Sequence, residues 1–416
     1  METVPLLKDK RIVLGVTGGI AAYKICTLAS HLTQAGAEVD VVMTEAATRF
    51  VSPITFEALT GRPAYASMWS SAEQGLPTHI THIGLAEAAD LIVVAPATAN
   101  TLAKLAQGLA DNLLTTLALA ARSPLLVAPS MDVGMWGHDA TQRNAEILRS
   151  RGVHVAGPAW GRMASGLEGP GRLIEPDEIL GHVRLVLGRR GGALAGRQVV
   201  VTAGPTREAF DPVRFLSNPS SGRQGFALAQ AALDRGAQVT LVTGPTHLSA
   251  PVGAQRVDVT TAEAMKEAAL KASAEADALL MVAAVSDYRP SAAAAQKIKK
   301  RADDLTIVLK RTPDVLRAVT RRRAETGCPR VVVGFAAETE DLVDHARSKL
   351  ARKDLDLIVA NDVSEDDAGF SVGTNRVLLI DRDDQVEPLP LMSKQAVSER
   401  VLERVVELLT DRGAKG

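Results

Sequence analysis

The stretch Arg11–Lys24, RIVLGVTGGIAAYK, runs an apolar, β-branched segment into a glycine turn and then an alanine-rich helical pattern. Gly15, Gly18 and Gly19 allow a tight turn that brings backbone N–H groups close to an anion, and a helix starting near Ile20 offers its positive dipole end. Two more segments, Thr44–Ala46 and APATAN at Ala95–Asn100, leave expected strands with the same mixture of small and hydroxyl residues. Thr17, Gly18, Gly19, Ile20, Thr44, Pro96, Ala97, Thr98 and Asn100 thus form an expected site for a phosphate and a flat ring; a merely structural strand-to-helix turn is the plainer alternative. The spacing departs from G-x-G-x-x-G and no acidic ribose reader is present, so a mononucleotide such as FMN suits it better than a dinucleotide.

The second half carries a different set of groups. DPVRFLSNPSSGRQG (Asp211–Gly225) combines Arg214 and Arg223 with the small donors Ser220, Ser221 and Gly222 just before a helical pattern. That composition suits a phosphate or carboxylate clamp, with an ordinary polar loop as the alternative. Asp287 in MVAAVSDYRP is followed ten residues later by KIKK (Lys297–Lys300), a carboxylate beside lysines that points to metal and polyphosphate handling. Lys349 and Lys353 lie four apart on a helical stretch and so share a face. No Walker A sequence occurs, and these residue types alone do not choose CTP over ATP. His79 and His82 are three apart, but no cysteine or carboxylate completes a zinc set around them.

The elements that must position these groups follow from periodicity. Apolar runs at Arg11–Val16, Glu38–Met43, Leu91–Ala95 and Leu125–Ala128 alternate with helical patterns at Ala21–Gln34 and Asp111–Ala121, which is βαβ alternation and hence a parallel sheet. After the helical Leu180–Leu187, GRRGGALAGR (Gly188–Arg197) reads as an exposed linker. The plan then begins again, with strands at Gln198–Thr202 and Gln238–Val242 around a helix at Gln224–Arg235. Local echoes support the repeat: GAEVDVVMT (Gly36–Thr44) against GAQVTLVT (Gly236–Thr243), and AADLIVVAPAT against ADALLMVAAVSD. The expectation is an α/β chain of two tandem doubly wound, Rossmann-like domains with mostly parallel sheets, residues 1–187 and 198–416, joined by 188–197 and each binding ligand beyond its strands' carboxyl ends.

Composition narrows the class. At 416 residues two domains are the default, and 46% hydrophobic with 23% charged residues describes a globular chain. A net charge of −1 and 3% aromatics leave neither the basic field nor the stacking surface of a nucleic-acid binder. No run reaches the roughly 18 uninterrupted apolar residues a membrane span needs. Only Cys26 and Cys328 occur and no leader pattern precedes Arg11, so a cytoplasmic, reducing setting is expected.

In order, G-x-T-G-G-I-A-A-Y-K, T-E-A-A, A-P-A-T-A-N and P-S-M-D-x-x-M-W (Pro129–Trp136) resemble the flavin-containing cysteine decarboxylases, and among them the phosphopantothenoylcysteine decarboxylases. The resemblance implies FMN in the loops described above and a proton-transfer role for His82 during thiol oxidation. Two positions depart from that family. Asp132 stands where its motif has asparagine, and an ionised carboxylate accepts hydrogen bonds only and repels a substrate carboxylate unless a cation partners it. Ser165, in GRMASGLEGPGR, stands where its members place a cysteine that protonates the decarboxylated enethiol, and a hydroxyl is a far weaker acid than a thiol.

From about Val199 to Asp362 the chain resembles the CTP-using bacterial phosphopantothenate-cysteine ligases. By that resemblance Asp287, Lys297, Thr312, Pro313, Asp314, Val315, Phe335, Lys349 and Lys353 line the CTP site, with Mg²⁺ at Asp287. Asn218 then matches the residue associated with the acyl-cytidylate intermediate, and Lys297 with its formation. Together the halves resemble the bifunctional coenzyme A biosynthesis proteins, which implies small-molecule substrates (4′-phosphopantothenate, L-cysteine and CTP). It also implies a homo-oligomer of flavodomain trimers and ligase dimers, a dodecamer, with the flavin site between subunits. The alternative is a ligase whose flavin domain is incomplete or serves only as a scaffold; a nicotinamide oxidoreductase is disfavoured by the glycine spacing.

Overall fold

Along β1 (Arg11–Val16), Ile12, Leu14 and Val16 enter one apolar cluster while Val13 enters another on the opposite face. A strand buried on both sides belongs inside a helix-covered parallel sheet, and β1 pairs in parallel with β2 (Glu38–Met43) and β4 (Leu91–Ala97). With β3 (Ala64–Tyr65), β5 (Leu125–Pro129) and β6 (His154–Val155) the sheet order is β3-β2-β1-β4-β5-β6. Helices Ala22–Gln34 and Pro176–Gly191 fill the first cluster; Ala99–Gln107, Leu113–Ala120 and Asp139–Ser150 fill the second. A hairpin of β7 (Ala159–Arg162) and β8 (Glu168–Arg172) stands outside the sheet.

The computed structural model describes residues 2–68, 81–300, 304–338, 341–362 and 372–413, so His79 lies outside the described residues. The chain divides into two compact units, Met1–Leu187 and Gly188–Gly416. The second unit is built on β9 (Gln198–Ala203), which is flanked by β12 (Gln238–Thr243) and β14 (Ala278–Met281). Its hairpins pair β10 (Arg207–Ala209) with β11 (Phe215–Ser217), and β15 (Tyr288–Pro290) with β16 (Leu309–Arg311). With β13 (Gln255–Asp258), β17 (Val331–Glu338), β18 (Leu357–Asp362), β19 (Thr374–Asp381) and β20 (Val386–Ser393), the eight-stranded order is β13-β12-β9-β14-β17-β18-β19-β20. Its pairs are parallel up to β18, and β19 and β20 add antiparallel to that edge.

Both sheets are doubly wound, and each reverses its strand order once, between β1 and β4 and between β9 and β14. One sequence expectation, the open linker at 188–197, needs correction. Gly188–Gly191 are the last turn of a helix rather than an open linker, and the glycines beside them serve close packing: a Cβ on Gly192 would sit 2.1 Å from the Arg235 carbonyl carbon. Asp287 does not end a strand; β14 stops at Met281 and Asp287 lies in the loop before β15. No helix among the described residues is long and apolar enough to cross a membrane.

A buried carboxylate organises the far side of the second sheet. Asp356 has no exposed surface; it accepts from the Val332 N–H at 2.7 Å and meets the guanidinium groups of Arg323 at 2.9 Å, Arg382 at 2.9 Å and Arg412. Two helices and the β19–β20 turn thereby converge on one anion, and removing it leaves Arg323 and Arg412 without their carboxylate, while Arg382 keeps Asp354 at 2.7 Å. Asp356→Ala is expected to destabilise the protein by about 3–5 kcal/mol, read as a fall in the denaturant midpoint; a loss below about 1 kcal/mol, the scale of a surface ion pair, would contradict this role.

In the first unit His154 Nε2 lies 2.8 Å from His182 Nδ1, joining β6 to helix Pro176–Gly191. Burial, and secondarily His154, pushes the His182 pKa down to about 4. The unfolded chain therefore binds a proton that the folded state refuses, and the contribution present above pH ~6.5 is lost as pH falls toward 4. Urea midpoints measured from pH 7 to pH 4 should drop across that window, and His182→Gln should flatten the drop; an equal drop in the variant would place its cause elsewhere.

Candidate active sites

In the first unit a cavity of about 450 Å³ opens where the strand order reverses, lined by Gly18, Gly19, Ile20, Thr98, Asp132 and Ser165 among others. Thr17 Oγ1 donates to the Pro96 carbonyl at 2.5 Å and accepts from the Thr98 N–H at 3.3 Å, so the loops after β1 and β4 are tied together behind the cavity. Thr44 caps helix Glu45–Thr48, and Thr98 caps Ala99–Gln107, each through its hydroxyl. The glycines fit a close-approaching ligand: a Cβ on Gly18 would sit 2.4 Å from Ala46 Cβ, whereas beside Gly19 nothing comes nearer than 3.9 Å. Of the nine expected flavin residues, Gly18, Gly19, Ile20 and Thr98 line the cavity; Thr17, Pro96 and Ala97 are buried, Thr44 is half-buried and Asn100 is exposed.

The β7–β8 hairpin brings Ser165 to Asp132. It docks tightly because Gly171 has no side chain: a Cβ there would meet the Met131 carbonyl oxygen at 2.4 Å, and the Met131 N–H donates to the Gly171 carbonyl at 2.9 Å. Ser165 Oγ donates to Asp132 Oδ2 at 2.5 Å, while the Gly134 N–H donates to Oδ1 at 3.1 Å. The Ser165 bond, then the Gly134 bond, lowers the Asp132 pKa, so this carboxylate is ionised at neutral pH. Sequence reasoning missed the cations that accompany it. Lys24, Arg162 and Arg172 line the same cavity; Lys24 and Arg172 share Glu175, and the Arg162 guanidinium has no ion-pair partner among the described residues. Such a cation is what an aspartate needs to tolerate a substrate carboxylate. His82 lies on helix Thr81–Ala88 with its Nδ1 buried and without a hydrogen-bond partner among the described residues, and it does not line this cavity.

In the second unit a larger cavity, about 650 Å³, is lined by eight of the nine expected CTP residues: Asp287, Thr312, Pro313, Asp314, Val315, Phe335, Lys349 and Lys353. Thr312 Oγ1 donates to the Ser286 carbonyl at 2.5 Å, and Asp314 caps helix Val315–Thr326 through the Arg317 N–H at 3.0 Å. Lys349 donates to the Phe335 carbonyl at 2.8 Å, and Lys353 pairs with the other Asp314 oxygen. Burial lowers the Lys353 pKa, partly offset by Asp287. Arg311, Arg317 and Arg352 also line the cavity, giving five cationic side chains against two carboxylates, an excess suited to a polyphosphate. These arginines were missed, although Arg311 directly precedes the expected site residues Thr312–Val315.

Lys297 is exposed and does not line the cavity; Asn218 borders it, its Nδ2 donating to the carbonyl of the lining residue Val285 at 3.2 Å. Ser220, Ser221 and Gly222 lead into helix Arg223–Asp234, with Gly222 at φ 76° as its N-cap. Arg214, expected as a clamp for a ligand, has two of its nitrogens engaged by Asp211 and one of these also by the Ile298 carbonyl. Among the described residues no group of three or more His, Cys, Asp or Glu side chains is arranged to hold a metal, so Mg²⁺ fits here only where a ligand's phosphates complete the coordination of Asp287.

Residues 194–409 match the family described as DNA/pantothenate metabolism flavoprotein C-terminal domain, and residues 3–187 match the family described as Flavoprotein. The coenzyme A biosynthesis bifunctional protein CoaBC of Bacillus subtilis (strain 168) is 45% identical over 412 residues, covering 99% of this chain and 100% of the relative. That of Mycobacterium bovis (strain ATCC BAA-935 / AF2122/97) is 45% identical over 411 residues, covering 96% and 97%. A solved C-terminal domain of CoaBC is 37% identical, covering 53% of this chain and 100% of that chain, with a TM-score of 0.45. With relatives this similar along nearly its whole length, the chain belongs to the family of coenzyme A biosynthesis bifunctional proteins and is an enzyme of that class, with a flavoprotein unit first and a ligase unit second.

Proposed function

We propose that this chain converts 4′-phosphopantothenate and L-cysteine into 4′-phosphopantetheine, ligating them in the second unit and decarboxylating the product in the first. The observation that carries the reading is that each sheet has a cavity beside its strands' carboxyl ends, at the strand reversal in the first unit and beside β14 and β17 in the second, lined by the residues the motifs single out. In the ligation a phosphopantothenate carboxylate oxygen bonds to the α-phosphorus of CTP as the bond to pyrophosphate breaks. The cysteine amine then attacks the acyl carbon, an amide forms and CMP leaves. Lys349, Lys353 and the neighbouring arginines offset the phosphate charge; Mg²⁺ at Asp287 supplies further neutralisation. Lys297 serves formation of the acyl-cytidylate, and Asn218 steadies the oxyanion as the amine adds. Ser220, Ser221 and Gly222, at a helix N-terminus, hold the substrate's phosphate.

In the first unit Thr17–Ile20, Thr44, Pro96–Thr98 and Asn100 hold FMN, which supplies a reversible two-electron acceptor. The cysteinyl thiol loses two electrons and two protons to become a thioaldehyde, whose C=S receives the electron pair released with CO₂. Reduction of the resulting enethiol returns two electrons and requires a proton on carbon. His82 moves the thiol proton, from a position that a second copy of the chain brings to the cavity, in keeping with a homo-oligomer. Arg162 faces the charge of Asp132 and the substrate carboxylate. Ser165 and Asp132 hold the water that protonates carbon, since the hydroxyl alone is too weak an acid. Two free cysteines suit the cytoplasm as the place of work.

A second reading is favoured by the same pair. With Asp132 ionised and the Ser165 hydroxyl directed at it, no strong acid stands at the hairpin tip, and turnover would stop at the enethiol. Supplying phosphopantothenoylcysteine to the flavin-loaded protein and following mass decides between them. Phosphopantetheine is expected from the wild type, with Ser165→Cys quickening the last step by about 100-fold. Enethiol as the wild-type end product, relieved by Ser165→Cys, would establish the second reading instead.

A further inference from the structure

The turn between β10 and β11 holds a segment more than eighty residues away. The Asp211 side chain is buried and accepts five hydrogen bonds: the N–H groups of Val213 and Arg214 at 2.8 Å each, Arg214 Nε at 2.9 Å and Nη2 at 2.7 Å, and the Ile298 N–H at 3.2 Å. The same Arg214 Nη2 donates to the Ile298 carbonyl at 2.7 Å, so the acid–guanidinium pair grips both main-chain groups of one residue. Nearby, the Ala294 N–H donates to the Phe210 carbonyl at 3.0 Å. Residues 291–300 form no helix or strand of their own, so these three contacts are the main-chain bonds that orient the segment against the hairpin. Burial alone would raise the Asp211 pKa; the bonds from Arg214, Val213 and Ile298 hold it well below the usual carboxylate range, and the anion persists at any working pH.

The other end of this hairpin is wired to the nucleotide cavity. Ser217 Oγ donates to the Thr206 carbonyl at 2.7 Å, Thr206 Oγ1 accepts from the Ser286 N–H at 3.0 Å, and Asn218 follows directly with its bond to Val285. One short hairpin therefore carries Asn218 at one end and, through Asp211, the neighbour of Lys297 at the other.

We propose that Asp211 is a positioning residue for ligation, fixing Lys297 relative to Asn218 through Arg214 and the main chain of Ile298. The inference rests on the reading that Lys297 serves acyl-cytidylate formation. Asparagine cannot replace the acid, because its single acceptor oxygen serves either the turn N–H groups or the Arg214–Ile298 side but not both. Arg214→Lys spares the carboxylate yet loses the fork that reaches the Ile298 carbonyl.

The test measures single-turnover pyrophosphate release from CTP and phosphopantothenate by the full-length protein without cysteine. Asp211→Asn should slow release by about 100-fold at nearly unchanged KM for CTP, the scale of a misplaced reacting group. Arg214→Lys should behave alike and provides the measurement if Asp211→Asn fails to fold. In a Lys297→Gln background either change should have no further effect, a non-additivity that a general loss of structure does not give. Fully additive losses, or a raised KM with an unchanged rate, overturn the proposal. Wild-type protein that releases no phosphopantothenate-dependent pyrophosphate overturns the functional reading and the proposal with it, whereas wild-type release with additive variants overturns the proposal alone.

Discussion

Where neighbouring parallel strands send their crossovers to opposite faces of a sheet, the departing loops part and leave a cleft that no core side chain fills. Both sheets of this protein contain that reversal; the first cavity opens at it, and the second opens one strand further along, beside β14 and β17. At the first, Thr17 locks the loops after β1 and β4 to each other, so the glycine backbone between them faces a cavity of fixed width. At the second, the loop after β14 is held by hydroxyls from both sides, Thr206 on Ser286 and Thr312 on the Ser286 carbonyl. The folds are alike; what differs is the charge each cleft acquires.

That charge is set by side chains on elements outside the central strands. The second cavity gathers cations from β16, from the first turn of helix Val315–Thr326 and from the end of helix Leu342–Arg352. Two of its lysines already have protein acceptors, so each is held in place before a polyanion arrives rather than ordered by it. The first cavity is closed at one side by a hairpin whose tip carries Ser165, and the hydroxyl and the carboxylate of Asp132 meet there as a pair. The two departures from the family pattern are therefore one structural unit, a hydroxyl donating to an anion, in place of an amide and a thiol.

Much of this was legible in the chain itself. Apolar runs of strand length with glycine turns at their ends mark the parallel sheets, because a strand covered on both faces leaves no polar alternation to read. Eight of the residues expected to hold CTP, spread from Asp287 to Lys353, line one cavity because the loops after β14 and β16, strand β17 and helix Leu342–Arg352 meet there. Less legible were groups whose role depends on a distant partner. Arg214 looks like a ligand clamp until Asp211 and Ile298 are seen to occupy it. The glycines after Leu187 look like a flexible linker, yet one ends a helix and Gly192 permits contact with the backbone at Arg235. His82 carries a buried nitrogen with no partner among the described residues, which the surrounding sequence does not explain.

The central claim is that one polypeptide performs both stages. The direct measurement gives the purified, flavin-loaded protein 4′-phosphopantothenate, cysteine, CTP and Mg²⁺ and identifies the products by mass spectrometry. CMP, pyrophosphate, CO₂ and 4′-phosphopantetheine are expected in equal amounts. Phosphopantothenoylcysteine persisting as the end product, with no loss of CO₂, would contradict it.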